Sequence, residues 1–162
     1  VYLDGKDVSD LDDKQLSLIR NQSVGFVFQT FNLINKFTVW ENVLLPTRYY
    51  KGEDLGFDPE ERAEDLLKKM GIWERRNFFP NKISGGQQQR AAIARSLIMK
   101  PRIVLADEPT GNLDSETGEE IMNLIEKMNK ETGVTIVLVT HEKPVADLTE
   151  REIHMIDGRV TK

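Results

Sequence analysis

Two segments of this chain carry residue types suited to phosphate chemistry. They are Ser84-Gly85-Gly86-Gln87-Gln88-Gln89-Arg90 and, thirteen residues further on, Ile103-Val104-Leu105-Ala106-Asp107-Glu108. In the first, two consecutive glycines at a helix start let backbone N–H groups approach an anion, and the field at a helix N-terminus favours a phosphate there. The same residues also read as an ordinary helix start, with Ser84 as N-cap and Gln87 completing a capping box. In the second, an apolar run delivers two carboxylates to the C-terminal end of a strand, where α/β sheets place their ligands. A solvated strand end is the plain alternative. His141 follows another apolar run, and Gln29 closes a third. The stretch Pro109-Thr110-Gly111-Asn112-Leu113-Asp114 is rich in turn formers. No G-x-x-x-x-G-K-[ST] phosphate loop occurs; Gly5-Lys6-Asp7 lacks both the hydroxyl and the preceding glycine.

The elements that must hold these residues are legible in the hydrophobic patterning. Val1-Tyr2-Leu3 runs into an Asp4-Gly5 turn, and Val24 to Gln29 reads as a short buried strand. From about Asn32 to Asn81 the texture changes to helices and loops. Thr38 with Glu41, and Asp58-Pro59 with Glu61, are capped helix starts. Ala63, Leu66, Leu67 and Met70 form one helix face that Gly71 ends. Taken with the helix that follows, this insert spans about 32–95. After Ser84 the chain alternates: a helix over about Gln87–Met99, a strand over Arg102–Asp107, and a helix over about Glu116–Lys130. The last of these places Ile121, Leu124, Ile125 and Met128 on one side. Val134–Thr140 is a nearly continuous β-branched run, predicting a strand buried on both faces. A short helix near Pro144–Leu148 precedes a hairpin, Glu152–Ile156 and Arg159-Val160, around Asp157-Gly158; His154 lies inside it and reads as structural. Strand, helix, strand, helix predicts a parallel α/β sheet.

Bulk properties narrow the partners. A chain of 162 residues is large enough for one domain with a real core. Charged residues make up 30% and the net charge is -5, a balance that argues against nucleic acid as a partner. The absence of cysteine excludes disulfides and cysteine–zinc sites and fits a cytoplasmic protein. No apolar run reaches the length of a bilayer span, so a membrane role requires a separate partner.

The five segments around Gln29, Ser84–Arg90, Asp107-Glu108, Pro109–Asp114 and His141, in this order, resemble those of ATP-binding cassette (ABC) ATPases. The resemblance covers roughly Val24 to Asp157. Val27-Phe28-Gln29 with Phe31-Asn32-Leu33, Glu41-Asn42-Val43 and Asp107–Asp114 look most like the lipoprotein-release and macrolide-export branch, which includes cell-division relatives. Ile83 stands where the family more often has leucine. The resemblance implies a P-loop NTPase-like α/β core with an inserted helical subdomain, ATP and Mg²⁺ as ligands, and ATP hydrolysis coupled to transport. By the same resemblance, Asp107 orients the Mg²⁺ shell, Glu108 polarises the attacking water, and His141 is the switch histidine at the γ-phosphate. Gln29 is the Q-loop glutamine that reaches Mg²⁺. Ser84, Gly85, Gly86 and Gln87 form the signature that contacts ATP held by a second copy, and Asp114 faces that copy. A homodimer on ATP binding, a membrane permease subunit or domain as partner, and a peripheral position on the inner face of the cell membrane are implied too. Phe31, Asn32, Leu33 and Ile34 would line the groove for a permease helix, or, for the apolar members, belong to the core of the insert.

The departure from the family pattern is at the start: neither the adenine-stacking aromatic nor the phosphate loop has a counterpart in the 162 residues. The expectation is a partial nucleotide-binding domain that binds ATP weakly and does not hydrolyse it alone. Rival readings are a DNA-repair or chromosome-type ABC ATPase and an inactive interaction module. The insert shows neither the heptads nor the cysteines of the first, and nucleotide binding separates the enzyme from the second.

Overall fold

The structure, a computed structural model, describes residues 2–3, 6–52 and 54–161. Strands β1 (Tyr2–Leu3) and β2 (Lys6–Asp7) pair antiparallel. Val1, Asp4 and Gly5, on which part of the predicted strand and turn falls, lie outside the described residues. Helix α1 (Asp13–Ser23) was not anticipated from the sequence. Its start is a capping box: Asp12 Oδ1 accepts from Gln15 N–H at 2.7 Å and Gln15 Oε1 from Asp12 N–H at 3.1 Å. It buries no residue fully, so its apolar periodicity is faint.

Three parallel strands form the sheet: β3 (Val24–Phe28), β4 (Ile103–Asp107) and β5 (Thr135–Val139), in the order β3-β4-β5. Their register is unbroken, with Phe28 opposite Asp107 and Asp107 opposite Val139. All three chains therefore leave the sheet at one level. On one face Val27, Val104, Ala106 and Ile136 meet Ile93 and Leu97 of α4 (Gly85–Leu97) and Ile125 and Met128 of α5 (Ser115–Thr132). The opposite face is only partly covered. Val137 is 43% and Val139 57% exposed, which corrects the expectation of a strand buried on both faces. The β-branched run reflects strand propensity at these positions rather than double burial.

Between β3 and α4 lie α2 (Val39–Leu44) and α3 (Pro59–Lys69) with short 3₁₀ turns. The expected caps are present: Thr38 and Glu41 bond reciprocally, and Asp58 Oδ1 accepts from Glu60 N–H and Glu61 N–H. The Thr38 backbone N–H, then its hydroxyl, holds the Glu41 carboxyl below the usual range. Ala63, Leu66, Leu67 and Met70 are buried, and Gly71 ends the helix at φ +68°. Asn42 is fully buried. It accepts from Ile34 N–H at 2.7 Å and donates to the carbonyls of Ile34, Phe37 and Thr38, so the loop into α2 is fixed from inside. These residues share one continuous core with α4 and α5. Helix α6 (Lys143–Ala146) follows β5. The hairpin β6 (Met155–Ile156) and β7 (Arg159–Val160) turns at Asp157 (φ 50°) and Gly158 (φ 73°), as the sequence predicts. His154 pairs with Glu152 just before β6. Among the described residues, no helix is long and apolar enough to cross a membrane.

Candidate functional site

The shared strand level places Gln29, Glu108 and His141 just beyond the C-terminal ends of β3, β4 and β5. Asp107, the last residue of β4, is exposed at that edge. Glu108 has φ 46°, a left-handed conformation that costs about 1–2 kcal/mol for a residue with a side chain. Its backbone is held from two sides: its N–H donates to Val139 O at 2.9 Å, and its carbonyl accepts from Gly111 N–H at 3.1 Å. The bend turns the Glu108 side chain toward His141, where Oε1 meets Nδ1 at 2.5 Å. Oε2 is buried and has no hydrogen-bond partner among the described residues. A buried carboxylate oxygen of this kind calls for a water, ion or substrate group to complete it.

The His141 ring is exposed, and its pKa is raised above the ordinary histidine value. The hydrogen bond that its Nδ1 donates to Glu108 Oε1 is the main cause, with the charge of Glu108 adding to it. The sign follows from linkage: the pair contributes fully below pH of about 6.5 and is lost as pH rises through the raised value.

Gln29 enters through its neighbours. Asn112 Nδ2 donates to Gln29 O at 2.9 Å. The Gln29 side chain lies against Gly111, where an added Cβ would fall 2.6 Å from Nε2; glycine is needed for this approach. Beyond Gln29 the chain turns through two left-handed residues, Phe31 (φ 61°) and Asn32 (φ 49°). Phe31 and Leu33 are half-buried rather than open, and Leu33 packs on the core; of the apolar residues here Ile34, at 40%, is the exposed one.

The glycine segment stands at the far end of the 108–114 loop. Ser84 Oγ accepts from Gln87 N–H at 3.3 Å and Gln87 Oε1 accepts from Ser84 N–H at 3.1 Å, so the capping box is formed. Gly86 abuts Thr117, whose Cγ2 would be 2.5 Å from an added Cβ; Gly85 lies near Leu113 and Phe31. Part of the need for glycine is therefore close packing of α4 on the start of α5. Asp114 caps α5, accepting from Thr117 N–H at 3.0 Å and its hydroxyl at 2.7 Å, and the Thr117 N–H bond leads in holding its carboxyl low. No hydrogen bond of Ser84–Gln87 reaches Glu108 or His141 among the described residues. One set of contacts thus runs from His141 through Glu108 and Gly111 to Gln29, and a second joins Gly86, Thr117 and Asp114.

Two residues that sequence reasoning passed over link these groups. Gln89, fully buried in α4, donates to Pro109 O at 2.5 Å, directly after Glu108. Arg95, on the same helix, donates to Phe31 O at 3.0 Å and Asn32 O at 2.6 Å. Polar residues in a helix that also carries Ala91, Ala92, Ile93 and Ala94 were the available signal.

For a divalent ion the donor set is sparse: no group of three or more His, Cys, Asp or Glu residues suited to a metal occurs among the described residues. The exposed Asp107 carboxylate at the sheet edge instead fits Mg²⁺ in the mode where one or two carboxylates share it with substrate phosphates.

Comparison with known proteins shows the family. The ABC transporter family profile matches residues 1–111. The ABC transporter ATP-binding protein MJ0796 of Methanocaldococcus jannaschii is 51% identical over 100% of this chain and 70% of its own length. A macrolide export ATP-binding/permease protein, MacB, of Syntrophobacter fumaroxidans is 48% identical over 96% of this chain, which spans 22% of that protein. A lipoprotein-releasing system ATP-binding protein, LolD, of Cytophaga hutchinsonii is 46% identical over 98% of this chain and 71% of its own length. The dimeric MJ0796 structure in a post-hydrolysis state bound to ADP and Pi superposes with a TM-score of 0.85 at 48% identity, covering 99% of this chain and 70% of that one.

A direct check of the Glu108–His141 pair is an NMR titration of the imidazole. His141 should titrate above about 6.5 in the unaltered protein and return toward that value in Glu108→Gln. An unshifted wild-type titration would remove the pair from solution. With its α/β core, its motif order and these relatives, the chain belongs to the ABC transporter family.

Proposed function

We propose that this chain is the ATP-binding and hydrolysing part of an ABC transporter, driving a membrane permease partner as two copies close around ATP. The observation that carries the reading is Glu108: just beyond β4 it is bent left-handed, bonded to His141 and left with a buried oxygen that has no partner among the described residues. Phosphoryl transfer asks little covalent chemistry of a protein, so a positioned water and stabilised charge suffice. Glu108 Oε2 orients and polarises the water, whose oxygen bonds to the γ-phosphorus as the bond to ADP breaks. His141 holds the Glu108 carboxylate through Nδ1 and presents the rest of its exposed ring to the γ-phosphate. Asp107 and Gln29 would hold Mg²⁺, which when bound neutralises charge on the β- and γ-phosphate oxygens. Ser84, Gly85, Gly86 and Gln87 serve the γ-phosphate of the second copy, with Asp114 facing that copy. The dimeric relative bound to ADP and Pi supports this arrangement.

In Glu108→Gln, shape is kept and the carboxylate is lost. Turnover should fall by about 10²–10⁴-fold while ATP binding persists and ATP-bound dimers accumulate. Near-normal steady-state hydrolysis would contradict the assignment.

The permease would dock beside the Q-loop, in line with the membrane partnership of the relatives. An open groove there is lined by Arg20, Phe26, Phe28, Leu45, Pro46 and Tyr49, and Tyr49 is 65% exposed. Apolar surface rimmed by polar groups is typical of an interface. The exposed Tyr49 supports a contact on the β3 side of the groove. Tyr49→Glu should uncouple transport while basal ATP hydrolysis continues. Transport that remains fully coupled in that variant would rule the groove out.

A further inference from the structure

The corner after Gln29 poses a problem of its own. Phe31 and Asn32 are consecutive residues with side chains, and both are left-handed, at φ 61° and 49°. Such a pair persists only when the surroundings over-determine it. Local bonds contribute: Phe31 N–H donates to Phe28 O at 3.2 Å, Asn32 N–H to Thr30 O at 2.6 Å, and Thr30 Oγ1 to Asn32 Oδ1 at 3.0 Å. The first ties the corner to the end of β3 and the other two lie within the corner itself; none of them reaches another helix.

Arg95 supplies the external hold. It stands in the last turns of α4, more than sixty residues away in sequence, and its guanidinium spreads over both carbonyls of the corner, Phe31 O at 3.0 Å and Asn32 O at 2.6 Å. No carboxylate pairs with Arg95 among the described residues. Burial alone moves its pKa, downward. The cation is therefore committed to two neutral acceptors, which is where the planar five-donor fork of arginine differs from the point charge of lysine.

We propose that Arg95 is a positioning residue for Gln29. By gripping the left-handed corner it sets where Gln29 stands, its side chain against Gly111 and its carbonyl bonded to Asn112, and it ties that position to the helix whose first turn is Gly85–Gln87. The chain of contacts is continuous: Arg95 to the Phe31 and Asn32 carbonyls, the corner to Gln29, and Gln29 to the loop that follows Glu108. The same helix holds the other end of that loop through Gln89 and Pro109 O. A shift of α4 would thus move Gln29 and the 108–112 loop together. The catalytic part of this inference rests on the ATPase reading given above; the structural part does not.

The test compares the unaltered full-length protein with Arg95→Lys and Arg95→Gln. In nucleotide-free protein, hydrogen–deuterium exchange should quicken at the amides of residues 29–33 while β4 and α5 stay protected. In ATP hydrolysis, kcat per folded molecule should fall by about 10–100-fold with KM for ATP little changed, as for a misplaced group near the reacting atoms. Arg95→Lys, which keeps the charge but can grip only one carbonyl well, should lie between the other two. Unchanged exchange at 29–33 would overturn the proposal, and so would faster exchange with unchanged kcat. If Arg95→Gln fails to fold, Arg95→Lys carries both readouts. Absence of hydrolysis by the unaltered protein would refute the ATPase reading instead, and the exchange result would still decide whether Arg95 holds the corner.

Discussion

Everything in this site depends on the unbroken parallel register of β3, β4 and β5. Because Phe28, Asp107 and Val139 are level, Gln29 and Glu108, one residue on, and His141, two residues on, emerge at one edge. The register is specified by burial. Val27, Val104, Ala106 and Ile136 face α4 and α5, and a slip of one residue would turn each apolar set away from those helices. The Glu108 N–H then extends the ladder by one bond, to Val139 O, before the chain bends. That last bond anchors a left-handed residue to the sheet, and the His141 ring then holds the carboxylate through Nδ1.

Helix α4 is the second constraint. Its first turn packs against Thr117 and Leu113, its middle reaches Pro109 O through Gln89, and its end grips Phe31 O and Asn32 O through Arg95. All the backbone acceptors involved belong to loops. Loops carry few apolar contacts of their own, so a buried donor on a packed helix is an effective way to fix them. The helix also closes the core over β3, so sheet and insert move as neighbours of one element.

Much of this was legible in the residues. Thr38 with Glu41 and Ser84 with Gln87 announced their capping boxes, Asp58-Pro59 its helix start, and Ala63, Leu66, Leu67 and Met70 a buried face, because each signal is local in sequence. The order of Gln29, Ser84–Gln87, Asp107-Glu108 and His141 carried the family. Three things were hidden. Helix α1 buries no residue fully, so it lacks a strong periodic signature. The run Val134–Thr140 looked doubly buried because β-branched residues favour strands whether or not both faces are covered. The grips of Gln89 and Arg95 join positions twenty and more than sixty residues apart, and nothing in the local pattern names a carbonyl as the partner.

The central claim is that Gln29, Glu108 and His141 surround one reacting phosphate. It is tested most directly by a crystal structure of the full-length protein with Mg²⁺ and a non-hydrolysable ATP analogue. The account predicts the terminal phosphate beyond the ends of β3, β4 and β5, with Glu108 Oε2 facing an ordered water beside it and His141 in contact with it. A nucleotide whose terminal phosphate lies away from Glu108 and His141 would contradict the account.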